Sequence, residues 1–321
     1  MERIKFFRNP RLKNPYLIVA WPGMGEVAFK AATFLVDKLK AEEFAEIQAS
    51  EFFYLSESVV QNGILSLPEM PFNKFYFIKL KGAKNDLIVF LSDAQPDLTK
   101  AEEYCNSIIV LAKKYKVKNV ISFAAMPQPV DHGQQPSVWF TSTSLQINEQ
   151  LKKLDIQPLI EGQISGLNGL FLGLAKKAGF DGFCLLGEIP IYTIQIENPK
   201  ASFAVLERLK KILNLEIDLS DLLDQAQVME EQINSLLEHL KSGPTPGPIG
   251  EEEIEKIKKT LSQLTKFPLS VKEKIENLFI QAKNDISKAN ELKSELDKWS
   301  VYKEYEDRFL DLFKKAKGKN N

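Results

Sequence analysis

Two hydrophobic rhythms divide this chain, and the change falls near residue 200. Before it, short apolar runs bounded by turn residues predict strands near 16–21, 44–49, 74–80, 87–91, 119–123, 138–141, 158–161 and 183–186. Between them, apolar residues spaced by threes and fours predict helices near 26–40, 99–115, 144–154 and 170–179. The first turns Val27, Ala31, Phe34, Leu35 and Leu39 inward, Thr99 is placed to cap the second, and Gly179 to close the fourth. The runs at 74–80 and 87–91 read most simply as a hairpin. Residues 50–72, broken by Gly63, Pro68 and Pro71, read as irregular, and 124–136 as a proline-rich loop. Strands alternating with helices predict a three-layer α/β domain around a mixed, mostly parallel sheet.

After a helix at 201–213, Leu219, Leu222, Ala226, Met229, Ile233, Leu236 and Leu240 form a heptad seam. Ser242-Gly-Pro-Thr-Pro-Gly-Pro-Ile-Gly250 is a linker no helix can cross, and beyond it the stripe resumes at Ile254, Ile257, Leu261 and Leu264, then from Ile275 to Trp299, then from Tyr302 to Ala316. The expected organisation is an α/β core over 1–215, a heptad helix over 216–241, a linker over 242–250 and a helical hairpin extension over 251–321. Each helical stripe is narrow and flanked by Lys and Glu, so it needs a partner surface: the core, another helix or a second subunit.

Composition narrows the functions. With 44% hydrophobic and 26% charged residues and a formal net charge of -1, the chain reads as an ordinary globular protein with no basic tract for nucleic acid. No apolar run approaches the roughly 20 residues of a bilayer span, and residues 1–8 lack a signal-peptide apolar core, so a cytoplasmic protein is expected. Cys105, in a predicted helix, and Cys184, in a predicted strand, read as reduced core residues. The only arginines are Arg3, Arg8, Arg11, Arg208 and Arg308, and the only histidines His132 and His239. Nothing between residues 12 and 207 offers a guanidinium fork to a phosphate or carboxylate, which weighs against many enzymes.

Several positions are candidates for binding. Gly23-Met-Gly25-Glu-Val-Ala28 matches the G-x-G-x-x-[GA] pattern and follows a strand, but Pro22 crowds the turn and Glu26 puts a negative charge where pyrophosphate would sit. Gly162-Gln-Ile-Ser-Gly-Leu-Asn-Gly169 lacks the Lys-Ser/Thr end of a P-loop and does not frame Ser165 as a nucleophile. Ser165 or Asn168 is expected to cap the following helix or to offer polar groups to a ligand there. Asp93 and Glu188, each placed just past a strand, can form a carboxylate pair across a crevice. His132 with Cys105 lacks any catalytic frame, and no cluster has metal-ligand spacing. The candidate ligand-binding set is thus Gly23, Gly25, Glu26, Asp93, Ser165, Asn168 and Glu188, with no catalytic residue, metal or cofactor expected.

Three blocks carry a resemblance: Leu17-Ile-Val-Ala-Trp-Pro-Gly-Met-Gly25, Ser92-Asp-Ala-Gln-Pro96, and Ile164-Ser-Gly-Leu-Asn-Gly169 with 182–190, continued by Asn198-Pro-Lys-Ala201. Together they resemble the proteasome assembly chaperone family of the second-subunit type, in its archaeal and bacterial branch, over roughly residues 10–240. The resemblance implies a sheet domain similar to the nucleoside phosphorylase/hydrolase type, self-association, and for some members a role with proteasome-like ring subunits. It also makes the Gly23-x-Gly25 turn a family feature. Where some members end in a hydrophobic–tyrosine–x tail, this chain reads Lys317-Gly-Lys-Asn-Asn321, which argues against docking by the tail. The expected function is a non-catalytic, homo-oligomeric protein-binding or assembly-chaperone-like role. The alternative is an enzyme acting on a nucleoside-like polar substrate.

Overall fold

The computed structural model describes residues 3–54, 58–80, 82, 84–154, 156–241, 269–298 and 302–317. It divides into two compact units, 1–239 and 240–321. In the first, β1 (Ile4–Phe6), β2 (Tyr16–Ala20), α1 (Val27–Lys38) and β3 (Glu42–Ile47) lead to two short strands, β4 (Val59–Gln61) and β5 (Ile64–Ser66). Then come β6 (Asn73–Ile78), β7 (Leu87–Ser92), α2 (Ala101–Lys114), β8 (Asn119–Gln128), β9 (Val138–Ser142), α3 (Leu145–Lys152) and β10 (Gln157–Pro158). α4 (Leu167–Lys177), β11 (Asp181–Pro190), α5 (Pro199–Leu213) and α6 (Ser220–Lys241) complete it.

Nine strands form one sheet in the order β1-β3-β6-β7-β2-β8-β11-β9-β10. Its centre, β7-β2-β8-β11, is parallel, and β1, β3 and β6 extend one side antiparallel. Helices cover both faces, as the alternation predicted. The period-2 pattern sorts the central side chains: Ile18 and Ala20 pack beneath α1 and α5, while Leu17, Val19 and Trp21 pack beneath α2 and α4. The second face is aromatic, with Trp21 5.5 Å from Phe90 and 5.8 Å from Phe171 between ring centroids.

Several elements differ from the sequence-based expectation. β1 was not expected; it is a three-residue edge strand, too short to show a period. The stretch read as irregular holds the β4–β5 hairpin, turning at Asn62 and Gly63, whose φ values of 51° and 79° suit a tight hairpin turn. Asp97, not Thr99, caps the turn into α2, its carboxylate accepting from the Thr99 amide. β11 runs on to Pro190, so Glu188 lies within a strand instead of past its end. Gly179, with φ 89°, closes α4 as expected.

α6 lies along the first unit, burying Leu222, Ala226, Met229 and Ile233. Polar ties join it to the core: Lys38–Asp221 at 2.6 Å, Lys200–Glu230 at 2.7 Å, and His132 Nε2 to Asn234 Oδ1 at 2.9 Å. The Tyr192 hydroxyl accepts from the His132 amide and donates to Nδ1, which leaves the Nε2 hydrogen for Asn234. In the second unit, α7 (Leu269–Asn284), α8 (Ala289–Lys298) and α9 (Tyr302–Lys317) bury Ile275, Leu278, Phe279, Leu292, Leu296, Phe309 and Leu312 in a core of their own. The linker 242–250 and the stripe at Ile254, Ile257, Leu261 and Leu264 lie outside the described residues, as do the side chains of Leu236 and Leu240.

Candidate functional site

The chain leaves β2 toward β3 on one side of the sheet and leaves β8 toward β9 on the other, so a crevice opens between their C-terminal ends. A cavity of about 240 Å³ lies there. Its lining includes Gly23 and Met24 after β2, Gln95 after β7, 124–128 of β8, and 162–165 with Asn168 at the start of α4. Among the described residues no charged side chain lines it.

Asn168 is buried and spends its amide on the backbone of Trp21. Its Oδ1 accepts from the Trp21 N–H at 3.1 Å, and its Nδ2 donates to the Trp21 carbonyl at 3.0 Å. One side chain thus replaces a ladder partner where β2 ends. Gln95 does similar work. Its Nε2 donates to the Pro22 carbonyl at 2.8 Å, and its Oε1 accepts from the Leu167 N–H at 3.3 Å, satisfying an N-terminal donor of α4. The residue at the N-cap position is Gly166, and neither Ser165 nor Asn168 caps the helix. At Gly169 an added Cβ would sit 2.2 Å from the Ile164 carbonyl oxygen, so only glycine lets that loop close over the first turn of α4.

The candidate residues therefore separate. Gly23, Ser165 and Asn168 line the cavity; Gly25, Glu26, Asp93 and Glu188 are not among its lining residues. Gly25 is buried and zipped to the loop after β11, donating to the Ile194 carbonyl and accepting from the Asn198 N–H, both at 2.7 Å. Glu26 takes a left-handed backbone, φ 51°. Burial and then the nearby Glu197 carboxylate raise its carboxyl to about 7. Glu197 is itself buried and ion-paired to buried Lys30 at 2.6 Å. The Asp93 carboxylate accepts from the Phe72 N–H at 2.9 Å. The Glu188 carboxylate accepts from the Ser137 N–H and the Trp139 Nε1–H, both at 3.0 Å, and lines a smaller cavity with His132, Lys200 and Glu230. The two carboxylates thus hold separate loops rather than a shared crevice. Burial pushes the Cys105 and Cys184 thiols up to about 12, which keeps both protonated and unreactive. Among the described residues no group of three or more His, Cys, Asp or Glu could hold a metal.

Gln95 was missed as a site residue at sequence level. The signal was present, because Ser92-Asp-Ala-Gln-Pro96 lies directly after a strand that ends at the crevice.

These features define an α/β scaffold whose crevice residues chiefly knit its own loops together. The chain belongs to the PAC2 family, which it matches over residues 17–237. It is 30% identical over 252 residues to an uncharacterised protein of Methanocaldococcus jannaschii, MJ1210, covering 77% of this chain and 93% of that one. Two solved Pyrococcus furiosus structures share the fold. One is PbaB, an archaeal proteasome activator, at 28% identity and TM-score 0.63, covering 73% of this chain and 97% of PbaB. The other is PbaA, an archaeal homologue of proteasome-assembly chaperone, at 26% identity and TM-score 0.58, covering 82% of this chain and 99% of PbaA.

Proposed function

We propose that this protein is a non-catalytic, cytoplasmic, homo-oligomeric binding protein that assists the assembly or activity of proteasome-like ring subunits. The observation that carries this reading is the PAC2 match together with the likeness to PbaB and PbaA. The site agrees with it: the Asn168 and Gln95 amides and the Asp93 and Glu188 carboxylates are engaged by backbone or indole donors and acceptors of the protein itself. Self-association is supported by α6, which exposes Leu223 and Val228 besides the residues it buries. Among the described residues no helix is long and apolar enough to cross a membrane. A pull-down of the native protein, analysed by mass spectrometry, is expected to recover ring subunits. Recovery of none, in a source that makes them, sinks the reading.

The uncharged cavity favours a second reading, an enzyme acting on a nucleoside-like substrate held in the cavity that Gly23, Ser165 and Asn168 line. Phosphorolysis or hydrolysis of nucleosides, lost on Ser165→Ala, would establish it. No turnover above a heat-killed control removes it.

A further inference from the structure

The excursion between β3 and β6 is tightly held at its base and open at its tip. β3 runs parallel to β2, since it pairs antiparallel with β6, β6 with β7, and β7 parallel with β2. The excursion therefore leaves the sheet at the crevice end. Its base is fixed by the Asp97 N–H donating to the Phe52 carbonyl at 3.0 Å and the Phe72 N–H donating to Asp93. Phe52 and Phe53 are buried against Tyr104, with ring centroids 5.1 and 5.9 Å away. Beyond that base, Tyr54, Val60, Ile64, Leu65 and Leu67 are 63–71% exposed. Val60 and Leu65 are cross-strand partners, and Leu67 follows on the face of Leu65. A two-stranded ribbon of this size is marginal alone, and a cluster of large apolar side chains serves no purpose in water.

Charge identifies the kind of partner. Segments 48–72 and 92–99 contain Glu51, Glu57, Glu69, Asp93 and Asp97 but neither Lys nor Arg, although 42 of the 321 residues are Lys or Arg. Glu51 pairs with Arg3 at 2.6 Å, Asp97 caps a turn and Glu69 is exposed. Such a surface repels nucleic acid and anionic lipid. A symmetric contact with the same surface of a second copy would also set acid against acid. What complements it is cationic and apolar together.

We propose that the β4–β5 hairpin, with the loop after β7, is a docking surface for a segment of another protein that carries large apolar side chains flanked by Lys or Arg. This rests on the protein-binding reading above and names the surface that serves it. Exposed Glu69 and the acids at the base steer the partner, and Val60, Leu65 and Leu67 take its apolar side chains.

The test uses the full chain and a fluorescent peptide in which Lys alternates with Leu and Phe, alongside analogues with Glu for Lys and Ser for Leu and Phe. The Lys peptide is expected to bind, more weakly as salt rises, and at least about tenfold more tightly than either analogue. Leu65→Ser with Leu67→Ser, and separately Glu69→Lys, are expected to weaken it about tenfold with unchanged melting temperature. Val60→Ser provides a second apolar variant should the double variant fail to fold. Equal binding of the Glu analogue, no binding of the Lys peptide, or full binding by the variants overturns the proposal. So does a drop in assembly mass on Leu65→Ser with Leu67→Ser, read by light scattering, because the hairpin would then lie between copies. Ring subunits recovered without peptide binding overturn the hairpin assignment alone; peptide binding without ring subunits overturns only the ring-subunit reading.

Discussion

At the end of β2 the Asn168 amide answers both a donor and an acceptor of Trp21, from two separate atoms of one side chain. Asn168→Leu leaves the two backbone groups buried and unpaired, at a cost of roughly 2–4 kcal/mol. Asn168→Asp keeps the acceptor but loses the donor and is also destabilising. Urea unfolding of both variants reads the effect, and wild-type stability in Asn168→Leu would disprove it. Glu26 makes a prediction in pH. Its folded carboxyl titrates near 7, above the 4.5 of a free glutamate, so the folded state holds the proton more tightly than the unfolded chain. Its contribution is most favourable below about 4.5 and is lost as pH rises to 7. Glu26→Gln should gain on wild type by about 2 kcal/mol between pH 5 and pH 8, in melts run at both values. Equal differences at the two pH values would contradict the assignment.

Among the elements, α4 depends on contacts that local sequence does not announce. Its first turn is served by Gln95, 72 residues away, and covered by the Ile164 loop only because position 169 has no side chain. Gly169→Ala must push that loop off the helix; a loss of at least about 2 kcal/mol is expected, measured by thermal or urea unfolding, against the small gain that the same change brings in an open helix. α6 is tied to the core at its start by Asp221, at its middle by Glu230 and beyond it by Asn234. Asn234→Leu removes the acceptor of His132 Nε2 and should raise amide exchange in α6 with little effect on the central sheet. At this scale the repeated elements were legible: β2, β7, β8, α1 and α2 each have enough residues to show a period. β1, of three residues, does not, and the strand expected at 158–161 is only the two-residue β10, Gln157–Pro158. The hairpin was hidden by the prolines that follow it, Pro68 and Pro71, and by apolar residues that point to no core.

For the molecule as a whole, light scattering at tens of micromolar is expected to show a homo-oligomer, and a strict monomer would count against the proposed function. Hydrophobic periodicity by itself determined that there would be an α/β layer structure followed by helices, because burial of period-2 and period-3.6 faces requires little knowledge of what covers them. The residue blocks around Gly23, Gln95 and Ser165 pointed to the family, now shown by the match over residues 17–237. Tertiary structure alone decided which polar residues remain open to a ligand. Glu188 and Asp93 looked like a pair in sequence, yet each is held by amide or indole donors of another segment. Such bonds join segments tens of residues apart, and their geometry follows from the packing of the whole sheet, which no local pattern encodes.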